Sequence, residues 1–207
     1  MAKTYKVYVV GPAVHYANFL FNFELVRNIK DADIVIFTGG EDVDPALYGC
    51  KKHPTTYCNR ARDDAEMKIF KEIRPDQLAI GICRGSQFLC VMNGGKLVQD
   101  ISAHALYETH QIDNGEKIYE ITSTHHQMQY PFNLSPKDYD LLYVAHQGTY
   151  YEGDGIDPEK IPAEVEICLY HKKGLPKCLA IQGHPEYMRH DAPVIAMIND
   201  LVNDITK

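Results

Sequence analysis

An α/β fold with a mostly parallel central sheet and an antiparallel extension follows from three features of the 207-residue sequence. Residues 78–95 read as an apolar run, a G-x-C-x-G turn and a helix start. Before them, apolar runs at 5–10 and 33–37 end in glycine or proline and alternate with helical stretches. Right-handed crossovers turn that order into parallel neighbours. After them, β-like runs at 117–121, 141–145, 165–170 and 178–182 are separated mainly by turn residues, as antiparallel strands are.

Taken in order, residues 5–10 are β-rich and stop at Gly11-Pro12, which predicts a buried first strand. Apolar positions at Ala17, Leu20, Phe21, Phe23, Leu25 and Val26 predict a helix over 13–30. The run at 33–37 ends in Thr38-Gly39-Gly40-Glu41-Asp42, and glycine-rich loops after strands are where α/β proteins place ligands. Residues 46–62 read as a loop. A helix follows from Asp63, with Ala65, Ile69 and Ile73 at four-residue spacing and Arg74-Pro75 as its stop. Gly94-Gly95 closes the helix after the G-x-C-x-G turn. The Gly-, Tyr- and acid-rich stretch 147–163 reads as a surface loop or flap. Asp191 and Pro193 predict the start of a last helix, whose Ile195, Ile198, Leu201, Val202 and Ile205 form one apolar face for the sheet.

The length suits a single domain over 1–207 that buries a core without disulfides or metal. A composition of 45% hydrophobic and 24% charged residues is ordinary for a globular chain. A net charge of −7 with no basic patch excludes a nucleic-acid-binding surface. Residues 1–10 contain lysines but no long apolar segment, and nowhere do eighteen apolar residues run together. The expectation is a soluble, cytoplasmic protein with no membrane contact. Its six cysteines are expected as free thiols. Cys50, His53 and Cys58 match no common zinc spacing, so no metal and no cofactor are expected.

The chemistry centres on Cys83. Between Gly81 and Gly85 it occupies the apex of a nucleophile elbow, a strand-to-helix turn tight enough to need small residues on either side. The unpaired amides of the following helix give that apex partial positive charge. So short a motif also fits a buried structural cysteine, and the choice depends on a base elsewhere. Of ten histidines, His184 has the right context. Pro185 pushes it toward extended geometry, and in an extended segment Glu186 falls on the same side as the imidazole. A carboxylate there fixes the tautomer and stabilises the imidazolium. Cys83, His184 and Glu186 thus offer a nucleophile, a base and an orienting acid.

Together, G-I-C-R-G-S-Q at 81–87 and Q-G-H-P-E at 182–186 resemble the class I glutamine amidotransferase-like family, a flavodoxin-like three-layer sandwich with a Cys-His-Glu triad. The likeness is closest to the γ-glutamyl-γ-aminobutyrate hydrolase group. It extends through F-T-G-G-E-D-V-D-P-A-L-Y-G at 37–49, R-D-D-A-E at 62–66, G-G-K-L-V-Q-D-I at 94–101 and S-T-H-H-Q at 123–127. The resemblance implies a stand-alone amidohydrolase that cleaves a γ-glutamyl amide through a thioester on Cys83. It also implies oxyanion donors from the amide of Arg84 and from Gly39-Gly40, and substrate contacts from Gln87, His125, His126 and Gln127. Adjacent histidines face opposite ways on an extended segment and cannot complete a metal site alone, so one of them is expected in the pocket wall. For Arg62, Asp63 and Glu66 a solvated helix start explains the residues as well as the family does.

The pattern departs from the family at four positions. Gly183 stands where many relatives carry a large aromatic, which predicts extra space beside His184. Thr122, Ser86 and Cys90 replace a common Asn, apolar residue and Asn. Two other readings share the sequence: a glutaminase subunit feeding ammonia to a separate synthetase, and a non-catalytic module that binds a γ-glutamyl metabolite. The partners expected are a small γ-glutamyl substrate and, by the second reading, a synthetase; a homodimer is compatible with all three.

Overall fold

The computed structural model describes residues 3–207, without the side chains at positions 106, 107 and 160. Its first half forms β1 (Tyr5–Val9), β2 (Phe23–Leu25), β3 (Ile34–Phe37), α1 (Arg60–Glu72), β4 (Leu78–Ile82) and α2 (Arg84–Met92). Then come β5 (Lys96–Val98), β6 (Asp100–Ile101), β7 (Ala105–Asp113), β8 (Ile118–Thr124), β9 (Met128–Tyr130) and β10 (Tyr139–Ala145). The chain ends with β11 (Tyr151–Glu152), β12 (Glu164–Tyr170), β13 (Lys177–Ile181) and α3 (Pro193–Ile205).

The main sheet runs β2-β1-β3-β4-β13-β12-β10-β7-β8. Its pairs from β2 to β13 are parallel, and from β12 outward they are antiparallel. β9 bridges β12 to β5, and β6 pairs with β11 apart from the main sheet. Every residue of β3 and β4 is buried, as strands covered on both faces must be. On one face Phe70 and Ile73 of the α1 segment and Phe88 and Leu89 of α2 pack with Val35, Phe37 and Ala79. On the other, Val194, Ile195, Ile198 and Val202 of α3 pack with Val7, Ile34, Ile36 and Ile80. The expected three-layer α/β architecture is therefore present.

Three local expectations give way. Residues 13–30 are not a helix: they form a 3-10 turn (Val14–Ala17), the edge strand β2 and a second 3-10 turn (Ile29–Asp31). The Asn199 side chain accepts from the Phe21 amide at 3.0 Å and donates to the Phe19 carbonyl at 2.9 Å, taking both groups out of any helical ladder. At α3 the N-cap is Ala192, with no side-chain cap, because Asp191 is bound by Arg189 instead. Helix α1 starts three residues before Asp63, where the Asn59 side chain accepts from the Arg62 amide and caps it. The stretch 147–163 is largely exposed, as expected of a surface loop, and is held by Gln99 N donating to Glu152 O and Lys51 N donating to Asp154 Oδ2.

The elbow rests on close backbone approaches. A Cβ added at Gly85 would lie 2.2 Å from the Phe37 carbonyl oxygen, and one at Gly81 would lie 2.4 Å from the Gly85 carbonyl oxygen. Backbone cannot retreat as a side-chain tip can. Gly85→Ala should therefore cost at least the ~1–3 kcal/mol typical of overpacking, read by urea denaturation. Gly174→Ala, in open space at φ +88°, serves as the comparison and should lose only the ~1–2 kcal/mol of a left-handed non-glycine residue. The expected order is a larger loss in Gly85→Ala than in Gly174→Ala; an equal or smaller loss at Gly85 would contradict the elbow argument.

Candidate active site

Three adjacent parallel strands deliver the site. β4 lies between β3 and β13, with Ile82 opposite Ile181 and Phe37 opposite Gly81. Their C-terminal ends therefore release Cys83, the Gln182–His184 segment and the Thr38–Gly40 loop at one edge, where open α/β sheets bind ligands. Cys83 caps α2 at φ +52°, ψ −113°, a conformation rare for a residue with a side chain. The turn is fixed by Cys83 N donating to Ile181 O at 2.9 Å, and by both the amide and the hydroxyl of Ser86 donating to Cys83 O. The departure at Ser86 thus supports the elbow.

His184 Nδ1 donates to Glu186 Oε1 at 2.7 Å, as the His-Pro-Glu spacing predicts. Nε2 is left for Cys83. The Thr122 hydroxyl accepts from His184 N at 2.7 Å and donates to His184 O at 3.3 Å, so the departure at Thr122 fixes the histidine backbone. Tyr187 stacks on the imidazole at 4.7 Å and 7°. Burial works against the imidazolium, but hydrogen bonds to Cys83 and Glu186 override it and raise the His184 pKa to about 10. The space expected beside Gly183 is not there. A Cβ at Gly183 would meet Thr122 O at 2.7 Å and Ile121 Cγ1 at 2.8 Å, so β8 fills the volume an aromatic would take.

Gly39 and Gly40 flank the same edge. A Cβ on Gly39 would lie 2.8 Å from the Tyr16 hydroxyl and 3.1 Å from His184 Cε1, and Gly40 has φ +135°. Arg62 holds this loop by donating to Thr38 O, Gly39 O and Glu41 Oε2 while its Nε binds Glu66. The Arg84 guanidinium, 1% exposed, binds both Asp63 and Glu66, and Asp63 also accepts from Asp44 N. The solvated helix start considered for 62–66 is therefore wrong for Asp63 and Glu66. They are buried counter-charges that fasten α1 to the elbow.

A cavity of about 190 Å³ opens on Cys83 and is also lined by Gly40, Glu41, Asp42, Gln87, His126 and Gln127, among others. The structure thus brings every expected substrate-side residue to one cavity. His126 bridges Asp42 (3.2 Å) and Asp100 (3.5 Å); the hydrogen bond to Asp42 and then the carboxylate charges outweigh burial and raise its pKa. Gln87 and Gln127 are buried, each with an unpartnered side-chain oxygen. Gln87 Nε2 donates to the Gln127 carbonyl at 3.1 Å. His125 also reaches the cavity, but its ring points inward to His104, His110 and Glu166, a buried cluster that sequence spacing did not reveal. A larger cleft of about 630 Å³, lined by Tyr5, Asn199 and Lys207, lies at the opposite end of the parallel strands from Cys83.

The remaining thiols have other surroundings. Burial pushes Cys90 and Cys178 up to about 12 and raises Cys50, Cys58 and Cys168 as well. Cys50 donates to Asp154 O, and His53 Nε2 meets Glu152. All six cysteines are unpaired.

With this geometry, the comparisons define the family. Residues 22–135 match the family model described as peptidase C26, and the chain belongs to that family, a class of glutamine amidotransferase-like hydrolases. The Lactococcus lactis (strain IL1403) protein provisionally named glutamine amidotransferase-like protein YvdE is 31% identical over 174 residues, covering 77% of this chain and 70% of its own. A Mycobacterium tuberculosis protein provisionally named a glutamine amidotransferase is 28% identical over 170 residues, or 80% of this chain. The chain spans only about half (54%) of that relative. Among solved structures, a Thermoplasma acidophilum protein provisionally named as one subunit of a GMP synthase superposes with a TM-score of 0.61 at 19% identity, covering 100% of this chain and 94% of its own. That likeness concerns the fold. No helix among the described residues is long and apolar enough to cross a membrane.

Two outcomes follow. Because the folded His184 pKa lies above its ordinary 6.5, its imidazolium adds stability that is complete below about pH 6.5 and is lost as pH rises through about 10. Urea denaturation at pH 6, 8 and 10 should show this loss, and Glu186→Gln, which removes one cause of the shift, should confine it to a narrower window at lower pH. Iodoacetamide at neutral pH should alkylate Cys83 ahead of the other five thiols, read by peptide mass spectrometry. Preferential labelling of Cys50 or Cys58 would contradict the site.

Proposed function

We propose that this chain is a cysteine amidohydrolase that cleaves a γ-glutamyl amide through a γ-glutamyl thioester on Cys83, with Cys83, His184 and Glu186 as its triad. The observation that carries the reading is a cysteine held at a strained elbow beside a carboxylate-oriented histidine, with a cavity opening on the cysteine. Cys83 Sγ attacks the side-chain carbonyl carbon, and its proton passes to His184 Nε2. The oxyanion is received by the amide of Arg84 and by the Gly39-Gly40 loop, donors whose individual removal in such sites costs about 3 kcal/mol. The imidazolium protonates the departing nitrogen, and the C–N bond breaks. Water then adds to the thioester with His184 as base, releasing glutamate and restoring the thiol.

The pocket chemistry suits the glutamyl half. Glu41 and Asp42 complement an α-ammonium group, and the raised His126 complements an α-carboxylate. The likeness of motifs 37–49, 81–87, 123–127 and 182–186 to the γ-glutamyl-γ-aminobutyrate hydrolase group supports a conjugate with a small amine as substrate. A second reading, a glutaminase subunit supplying ammonia to a synthetase, draws support from the name of the superposable Thermoplasma protein.

A panel of γ-glutamyl amides, glutamine included, separates these readings. Cys83→Ala should reduce glutamate release by at least about 10³-fold on whichever substrate the wild type turns over. Asp42→Asn should raise KM roughly tenfold with a smaller change in kcat, the cost of a charged hydrogen bond. Turnover undiminished in Cys83→Ala would sink the proposal. Activity on glutamine alone, and only with a co-purifying synthetase, would select the second reading.

A further inference from the structure

Behind the cavity wall lies a cluster that the triad does not use. His104, between β6 and β7, His110 in β7, His125 after β8 and Glu166 in β12 are all buried, His104 and Glu166 completely. His104 Nε2 and His125 Nε2 lie 3.6 and 3.4 Å from Glu166 Oε1, and His110 Nε2 lies 3.3 Å from Glu166 Oε2. None of these three Nε2 atoms, and neither Glu166 oxygen, has a hydrogen-bond partner. Buried polar groups are rarely left so.

The tautomers define what is missing. His104 Nδ1 donates to Ser102 O at 2.8 Å, and His125 Nδ1 donates to Gln127 O at 3.0 Å. A carbonyl can only accept, so each neutral ring carries its proton on Nδ1 and turns the Nε2 lone pair toward the carboxylate. Lone pairs facing a carboxylate repel unless a cation stands between them. Backbone carbonyls holding the distal ring nitrogen are also the usual outer shell of metal-bound histidine. The His104 Nε2, His125 Nε2 and Glu166 oxygen ligand atoms lie within 4.8 Å of one another. The separations across the carboxylate approach the edge of a tetrahedron with metal–ligand bonds of about 2.0–2.1 Å, about 3.3–3.4 Å.

We propose that His104, His125 and Glu166 bind one divalent cation of the zinc class. Two imidazoles and a carboxylate are a donor set suited to zinc and keep calcium or magnesium, which prefer all-oxygen shells, at a disadvantage. His110 Nε2 lies 3.3 Å from the other carboxylate oxygen and packs behind the site. Glu164 Oε2, 3.4 Å from His104 Nε2, flanks the open fourth position; its carboxylate is held by the amides of Gln147 and Gly148 and by the Tyr151 hydroxyl. The ion is structural. It ties the 124–127 wall to β12 and to the turn at 102–104, already joined by His125 N and Ser123 Oγ donating to His104 O. The Gln127 carbonyl that accepts from His125 also accepts from Gln87, so the tie ends in the cavity beside Cys83. The histidine pair at 125–126 does not make this site alone. Its other ligands come from residues 104 and 166.

The test is metal uptake by the full chain, stripped with chelator and titrated with Co²⁺, followed by competition with Zn²⁺. The expected result is one equivalent with the visible bands of tetrahedral nitrogen and oxygen ligation, displaced by Zn²⁺. Glu166→Gln and His125→Ala should each weaken binding by more than the about 10–100-fold that outer-shell changes cost, and His110→Gln by about that amount. Circular dichroism establishes folding, and a variant that does not fold leaves the decision to the wild type and the other variants. A folded wild type without stoichiometric uptake, thiolate-to-cobalt charge-transfer bands, or undiminished affinity in folded Glu166→Gln would each overturn the site.

Discussion

The contact on which the site depends is the backbone of Gly85 against the carbonyl of Phe37. It sets how closely α2 approaches β3 and, through Gly81, how sharply the chain turns out of β4. At that closeness, the turn leaves Cys83 at φ +52°, a conformation that costs of order 1–3 kcal/mol and survives only where its surroundings over-determine it. Here they do. Ser86 binds the Cys83 carbonyl twice, and Ile181 of the neighbouring strand accepts the Cys83 amide. The strain and the position of the sulfur have one cause, and the same register that places Ile181 beside the elbow brings His184 into reach three residues later.

A second constraint works through charge. The Arg84 side chain turns away from the site into a buried pair of carboxylates, Asp63 and Glu66, and Arg62 shares Glu66 while holding the Gly39 carbonyl. Removing one partner from such a network leaves an uncompensated buried charge at about 3–5 kcal/mol. The result is a rigid frame from α1 through the elbow to the glycine loop. The two amide sources assigned to the oxyanion, Arg84 and the Gly39-Gly40 loop, belong to this one frame. An oxyanion hole acts through donors that need not reorganise, so the buried ions and the proposed chemistry are parts of the same arrangement.

The sequence was most legible where local rules agree. Gly81, Cys83 and Gly85 describe an elbow because a backbone contact excludes side chains, and His184-Pro185-Glu186 describes an oriented imidazole because proline restricts the residue before it. Both readings use neighbours in the chain. Residues 13–30 misled because their apolar spacing is that of a segment buried under α3, while its conformation is imposed by Asn199, some 180 residues away. Asp63 and Glu66 looked solvated because their partner Arg84 comes from the next helix, beyond β4. Gly183 looked like added space because Ile121, which fills it, comes from a strand at the far edge of the sheet. In each case the deciding group comes from another element of the fold. The sheet itself is assembled out of sequence order, with β13 inserted between β4 and β12.

That insertion also divides the labour of the fold. The parallel half supplies Cys83, His184 and the glycine loop, all fixed by close backbone contacts. The antiparallel half supplies the opposite wall, His125 to Gln127, on an irregular segment between β8 and β9. Such a segment has no ladder of its own, so besides the isolated bonds His125 N to His104 O and Ile101 N to His126 O it is secured by side chains: Thr56 accepting from Gln127, Gln87 donating to its carbonyl, and His125 turned inward onto Glu166. The elbow tolerates few substitutions, because at several positions any Cβ collides with backbone. The wall is held by groups that can be exchanged for others of similar reach. In the proposed reaction, bond-breaking geometry and substrate choice therefore rest on different physical constraints, and the second can change without disturbing the first.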